Sequence, residues 1–366
     1  MNALESLSLP VTRGFIRRST AVWLAAHLAL WVNASWWNQL GWEMLDNWDS
    51  GWYSKIIADG YSVPAWAFYP LYPLIVKALS FVVPLAPYVI GLLLSSALFF
   101  YFCEQVGRLC ENPDERLDGM APASRAGWLF FLFSPSSFVF HSHHTESLFI
   151  VLTWVAFVSA LRPEKGRWIV AAVASGLGAL TRPQGILLAV ASAVATSAST
   201  TGWRPRVVRF ATSGLISGAL YACYPLYQWR MAGDPGLAQS SQLAWRPEMT
   251  ARSFVRTLWL GNPWQNMDSG SLERQAAFFA LIIATVLLWK TRRVLAAYVG
   301  LCVAVMPAAG EFVGLFRYGA VLFPVLFLAG DKLGRLPRWL VVVISLAWLF
   351  RNLSIAHRYA LFRWCY

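Results

Sequence analysis

The sequence predicts an all-α polytopic membrane protein with about eleven transmembrane helices. Three observations carry that expectation. The 366 residues are 57% hydrophobic and only 13% charged, whereas a soluble domain averages about 45–50% apolar and about 25% charged. The apolar residues fall in continuous runs of Leu, Ala, Val and Phe, which suit helices in lipid rather than alternating barrel strands. Small groups of Lys and Arg separate those runs. The mean hydropathy of +0.50 agrees, because a soluble fold of this length has too little interior to hide so much apolar surface. The same figures exclude a soluble enzyme and a disordered chain. With 5 Cys they also exclude a disulfide-rich secreted domain.

The apolar stretches lie at about 19–37, 88–104, 126–142, 145–161, 168–182, 185–200, 207–228, 276–290, 294–309, 318–330 and 339–353. The first runs into Trp36 and Trp37, which read as an interfacial anchor, and it lacks the small-residue site of a cleaved signal peptide. Alternate connections carry basic triplets: Arg13, Arg17 and Arg18; Arg108, Arg116 and Arg125; Arg162, Lys165 and Arg167. The series continues with Arg204, Arg206 and Arg209; Lys290, Arg292 and Arg293; Lys332, Arg335 and Arg338. These six triplets hold 18 of the 30 Lys and Arg, so their side is cytoplasmic and the N-terminus is inside. The net charge of +12 is thereby assigned to orientation and needs no nucleic acid.

Residues 69–86 are long enough to span, but a span there would invert every later triplet. Pro70, Pro73, Pro84 and Pro87 break the segment. It is expected as an extracytoplasmic juxtamembrane or re-entrant helix. The chain is then a single integral membrane domain, 1–366, with two substantial outer loops at 38–87 and 229–275. The cytoplasmic connections are short and most are bare basic turns, so the chemistry is expected outside.

Five outer clusters hold the informative polar residues. Asn47-Trp48-Asp49-Ser50-Gly51-Trp52-Tyr53 places an acid between two indoles at the membrane boundary. Such an acid can take a proton from a sugar hydroxyl while the aromatic faces stack on the ring; alternatively, Asp49 caps a short helix within an aromatic belt. His141-Ser142-His143-His144-Thr145-Glu146-Ser147 lies at an outer turn. Its spacing is not the i, i+4 face of H-E-x-x-H, so hydrogen bonding to substrate is favoured over metal binding, with Glu146 also suited to a helix first turn. Thr181-Arg182-Pro183-Gln184-Gly185 puts a guanidinium near membrane depth. That position suits either a phosphate or an ion pair with a neighbouring acid. Gln242 and Trp245 follow a Gly233-Asp234-Pro235 turn, and Arg317-Tyr318 marks a second outer arginine at a membrane edge.

Together these residues resemble the PIG-V family of mannosyltransferases, among the membrane glycosyltransferases of the GT-C fold. The family's W-D, acid-Gly-Tyr and A-F-[FY]-P-L-[FY]-P elements are matched by Trp48-Asp49, Asp59-Gly60-Tyr61 and Ala67 to Pro73. Its S-P and [YH]-[ST]-E-[SA]-L-F elements are matched by Ser134-Pro135 and His144 to Phe149. Arg182 to Ile186 resembles R-[SP]-[NQ]-G-[IL], Gln242 and Trp245 resemble Q-x-x-W, and Arg317-Tyr318 with Pro324 resembles R-Y…P. The matches keep family order over residues 47–324. Pro183-Gln184 and His143-His144 depart from the family's usual Ser-Asn and apolar-Tyr pairs.

The resemblance implies an inverting transfer of a sugar, mannose being expected, from a polyprenyl-phosphate donor to a lipid-linked glycan or other acceptor, lipid or protein. Asp49 would be the catalytic base, and Arg182 and Arg317 would bind the donor phosphate. Trp48, Trp52, Tyr53, His144, Glu146, Gln242, Trp245 and Tyr318 would contact substrate. The reading needs no cofactor and no metal, since the lipid-phosphate sugar is a co-substrate. A bacterial cytoplasmic membrane is expected, because the loops are short and no KDEL-like ending is present. The competing class is a transporter or lipid flippase, which would show charges midway through spans and two similar halves. Neither is visible in the sequence.

Overall fold

A computed structural model of the chain describes residues 7, 9–112, 117, 119–162, 166–245, 269–309 and 314–363. Among them the chain is helical, and its single isolated β-bridge joins Pro10 to Ser124. The helices are α1 (Arg13–Trp37), α2 (Asp49–Asp59), α3 (Leu71–Ser80), α4 (Pro87–Glu111), α5 (Arg125–Leu132), α6 (Glu146–Ala160), α7 (Arg167–Ala179) and α8 (Gln184–Ala198). They continue as α9 (Trp203–Ala232), α10 (Leu237–Trp245), α11 (Ser269–Trp289), α12 (Arg293–Val305), α13 (Leu315–Ala320), α14 (Phe323–Leu333) and α15 (Arg338–Ala360).

Local chemistry sets several boundaries. The Thr12 side chain accepts from Phe15 N at 3.2 Å to start α1, and Ser124 accepts from Gly127 N at 3.1 Å to start α5. Pro87 opens α4, where its missing N–H is not needed. Gly233 at φ +74° ends α9 in the left-handed conformation that glycine adopts most cheaply.

Among the described residues two helices, α4 and α15, are long and apolar enough to cross a membrane. α6, α7, α8 and α12 are apolar but shorter. α3 has 10 residues, about 15 Å at about 1.5 Å per residue, half the thickness of a hydrocarbon core. It is too short to span, and it packs on α2 and α4. The expected stretch 126–142 is not one helix. α5 stops at Leu132, and a 3₁₀ turn follows at Ser137–His141, because Pro135 has no N–H to continue the ladder. The stretch 318–330 likewise splits into α13 and α14 ahead of Pro324. Of the expected loop 229–275, part is helical as the end of α9, α10 and the start of α11, while residues 246–268 lie outside the described residues.

The core is aromatic. Phe99 of α4 stacks on Phe140 at 4.6 Å, and Phe102, Phe131, Trp154 and Phe323 close around them. α6, α7, α8 and α9 pack successively on one another, and α1 packs on α4 and α15.

The segment from Ser134 to Thr145 is non-helical in large part, yet buried throughout. Such backbone is stable only where protein groups take up its carbonyls. Asn352 Nδ2 donates to Ser134 O at 2.9 Å, and Ser147 Oγ donates to Phe140 O at 3.1 Å. Ser50 Oγ donates to His143 O at 2.8 Å, and Ser95 Oγ donates to His144 O at 3.1 Å. This stapled turn fixes where α6 begins, and so where Glu146 sits.

Candidate active site

Asp49 occupies the first turn of α2 and Glu146 the first turn of α6. A helix N-terminus favours a carboxylate. Arg182 comes from the turn between α7 and α8, and Arg317 from α13. That turn is tight: a Cβ at Gly185 would stand 2.1 Å from Gly178 O, so only glycine lets α8 approach so closely.

The four charges meet in an alternating chain. Arg317 Nη1 pairs with Asp49, Arg317 Nε pairs with Glu146 Oε1, and Arg182 Nη1 pairs with the same Glu146 oxygen. Arg182 also donates to Thr145 Oγ1 and to Gln184 Oε1, both at 3.0 Å, and its guanidinium lies 5.4 Å from the centroid of the Tyr318 ring. Burial is graded along the chain. The Glu146 side chain is 0% exposed, Arg182 5% and Arg317 7%, whereas Asp49 is 32% exposed and forms the open end.

The Asp49 turn is held from the last helix. Asn47 Nδ2 donates to Tyr359 O at 2.9 Å, and the Tyr359 hydroxyl contacts Ser50 Oγ at 2.8 Å while donating to Leu45 O at 2.8 Å. Between them Trp48 has φ +57°, a left-handed value that costs a non-glycine residue about 1–3 kcal/mol. Its ring stacks on Phe362 at 4.8 Å. Strain of this kind persists only where surrounding contacts over-determine the backbone.

The three histidines diverge. His141 Nδ1 meets Ser96 Oγ at 2.6 Å, His143 Nδ1 meets the Tyr72 hydroxyl at 3.0 Å, and His144 Nδ1 meets Ser142 Oγ at 2.8 Å. Among the described residues no three His, Cys, Asp or Glu side chains gather as a metal-binding group. Burial pushes the His143 imidazole down to about 3. Burial, with help from the Arg317 charge, does the same for His144. Both rings are therefore neutral near pH 7.

The remaining expected site residues take varied places. Trp52 is half-buried, stacked on Phe68 at 6.0 Å with Lys55 Nζ 5.3 Å from its centroid. Tyr53 is buried against Tyr72 and His143. Gln242 is half-buried in α10, which packs on α9 and on the Ala65–Ala67 turn rather than on the charged chain's helices α2, α6 and α13. Trp245 ends α10, and its side chain lies outside the described residues. Asp49 does not cap α2, because Trp48 holds the N-cap position with no side-chain cap; Asp49 is the first helical residue and faces Arg317. At Arg182 the ion pair with a neighbouring acid is present.

A family model described as Mannosyltransferase (PIG-V) matches residues 18–197. Over those residues the chain is PIG-V-like. The match supports a glycosyltransferase acting on mannose. No curated protein and no solved structure matches it. The PIG-V-like segment contains Asp49, Glu146 and Arg182, while Arg317, which ties Asp49 to Glu146, lies beyond it. Sequence reasoning missed Tyr359, Asn47, Ser50, Tyr72 and Ser95 as supports of the site. Tyr359 sits 310 residues from Asp49 with no local motif around it, and the small hydroxyls are ordinary helix residues until their partners are known. The one available signal was the polar end of the last apolar stretch, Arg351-Asn352 to Tyr359, where lipid-facing residues alone would be apolar.

Proposed function

We propose that this chain is an inverting, polyprenyl-phosphate-dependent mannosyltransferase of the GT-C kind. It would work at the outer face of a bacterial cytoplasmic membrane on a lipid-linked glycan or protein acceptor. The observation that carries the reading is one charged chain built from residues widely separated in sequence: Arg182 and Arg317 both pair with the buried carboxylate of Glu146, and Arg317 also pairs with Asp49. In the transfer, Asp49 takes the proton of the acceptor hydroxyl as its oxygen bonds to the anomeric carbon. The bond from that carbon to the phosphate oxygen breaks, and its electron pair leaves with the lipid phosphate. Arg182 and Arg317 stabilise the charge gained there. No metal or cofactor enters this scheme.

A multi-span arrangement of about eleven helices is part of the proposal. It is supported by exposed apolar side chains along the long helices, among them Leu215 and Leu226 of α9, Val286 of α11, and Val343, Leu346 and Phe350 of α15. Such a surface suits lipid rather than water. Trp48 and Trp52, next to Asp49 in the sequence and stacked on Phe362 and Phe68, would offer aromatic faces to a sugar.

The test is purified protein in vesicles with radiolabelled polyprenyl-phosphate mannose and candidate acceptors. Wild type transfers label to an acceptor, and Asp49→Asn loses about 10²–10⁴-fold, the usual worth of a general base. Intact transfer by Asp49→Asn defeats the assignment, as does wild type that neither binds nor consumes the donor. A flippase would move the labelled lipid between leaflets without consuming it.

A further inference from the structure

The proposed function asks two things of Arg317 that compete. It is to bind the donor phosphate, yet one of its nitrogens already holds Asp49, the carboxylate that must accept a proton. A carboxylate oxygen engaged by a guanidinium is directed at that cation rather than at an acceptor hydroxyl. Resting on that reading of the function, we propose that the donor phosphodiester displaces Asp49 from Arg317, so that donor binding comes first and itself releases the base.

Three features of the charged chain favour this exchange. First, the two acids differ in burial. Glu146 is fully enclosed between two guanidiniums, so moving it would strand buried charge. Asp49 is 32% exposed at the open end, where water can take over its solvation and an ion pair is worth about 1 kcal/mol or less. The pair that yields is therefore Arg317 with Asp49. Second, the charges match. Arg182, Arg317 and Glu146 together carry one net positive charge, and a phosphodiester joining a sugar to a lipid carries one negative charge. With Asp49 in place the resting chain is neutral, and with the donor in its place it is neutral again. Third, the fixed members are anchored from elsewhere. Thr145 and Gln184 hold Arg182 at 3.0 Å each, and Arg317 keeps its Nε on Glu146 while its Nη1 is exchanged. Glu146 is thus a positioning residue, a permanent counter-ion that registers both guanidiniums and leaves room for one further anion.

The experiment measures the Kd of purified protein for polyprenyl-phosphate mannose without acceptor, in wild type, Asp49→Asn, Asp49→Ser and Asp46→Asn. Both Asp49 variants remove the competing carboxylate and are expected to bind up to about fivefold tighter, or about 1 kcal/mol, although their transfer is greatly slowed. Asp46 lies in the same outer segment, and its carboxylate accepts from Ser54 Oγ at 2.5 Å. Asp46→Asn should stay within about twofold of wild type. Unchanged or weaker donor binding in both Asp49 variants overturns the exchange. Equal tightening in Asp46→Asn also overturns it, since the effect would then be diffuse charge. If wild type and the Asp49 variants all fail to bind donor, the proposed function falls and takes the exchange with it, a result distinct from binding that does not tighten.

Discussion

Replacing Glu146 by Gln tests whether the charged chain is a structural unit with a removable end. The side chain is 0% exposed and pairs with Arg182 and Arg317, themselves 5% and 7% exposed. Gln keeps the size and one acceptor, so the loss is mainly of charge. Arg317 retains Asp49, but the other partners of Arg182, Thr145 and Gln184, are neutral. Removing one member of a buried pair costs about 3–5 kcal/mol, a large part of the roughly 5–15 kcal/mol that holds a protein folded. At about 2–4 °C per kcal/mol, the apparent Tm should fall by about 10 °C. Asp49→Asn, at the exposed end, should cost about 1 kcal/mol or less. The double variant Glu146→Gln/Arg182→Gln removes the stranded charge together with its partner. It should therefore recover part of the loss, with a coupling on the order of 1–3 kcal/mol. Thermal unfolding of wild type, Glu146→Gln, Arg182→Gln, the double variant and Asp49→Asn in one detergent, followed by tryptophan fluorescence, measures all of this. A Glu146→Gln protein melting within about 2 °C of wild type, or a double variant that loses the sum of both singles, would refute the reasoning.

Other expectations follow from the same contacts. A Cβ at Gly91 would stand 1.7 Å from His143 Nδ1, so Gly91→Ala must displace the buried turn. It should lower both Tm and transfer, and normal values for both would show that the approach of α4 to His143 is not needed. Tyr359→Phe removes the hydroxyl shared by Ser50 Oγ and Leu45 O. It is expected to cost about 1–3 kcal/mol and to reduce kcat, because the α2 start loses a support; full activity would count against that role. Stability should also fall with acid. His143 and His144 stay neutral when folded, with values pushed down to about 3 by burial, so the unfolded chain binds more protons between about pH 3 and 6.5 and gains as pH drops. Asp46 acts in the opposite sense, since burial pushes it up to about 6 and the folded form holds a proton that the unfolded chain lacks between about pH 4 and 6. Two histidines outweigh one acid, so Tm should decline from about pH 6.5 to 4.5. Asp46→Asn should gain about 1 kcal/mol at pH 7.5 and decline more steeply. A flat or rising profile in wild type contradicts this.

The charged residues of the site were legible because they stand out in a sequence that is only 13% charged. Asp49, Glu146, Arg182 and Arg317 each sit beside an apolar run, where an isolated charge is costly and needs a reason. Their pairing was not legible. Nothing in the sequence shows that α13 returns Arg317 to the start of α2, or that two arginines share one oxygen of Glu146. The continuous apolar runs coincide with most of the long helices but overran at 126–142 and 318–330. Apolar composition continues through Pro135 and across the α13–α14 break, while the backbone ladder does not. The segment Ser134 to Thr145 reads as the end of a span, and its burial rests on hydroxyls and an amide of distant helices. Gln242 shows the opposite case, a motif residue whose helix packs beside α9 and the Ala65–Ala67 turn.

The central claim is that Asp49 activates an acceptor hydroxyl against a sugar on a lipid phosphate held by Arg182 and Arg317. Its most direct measurement is transfer of radiolabelled mannose from polyprenyl-phosphate mannose by purified wild type and Asp49→Asn, each first shown to be folded. The account predicts labelled acceptor product and free polyprenyl phosphate from wild type, and transfer reduced about 10²–10⁴-fold by the substitution. Equal transfer by both proteins, or a folded wild type that leaves the donor unconsumed with every acceptor offered, would contradict it.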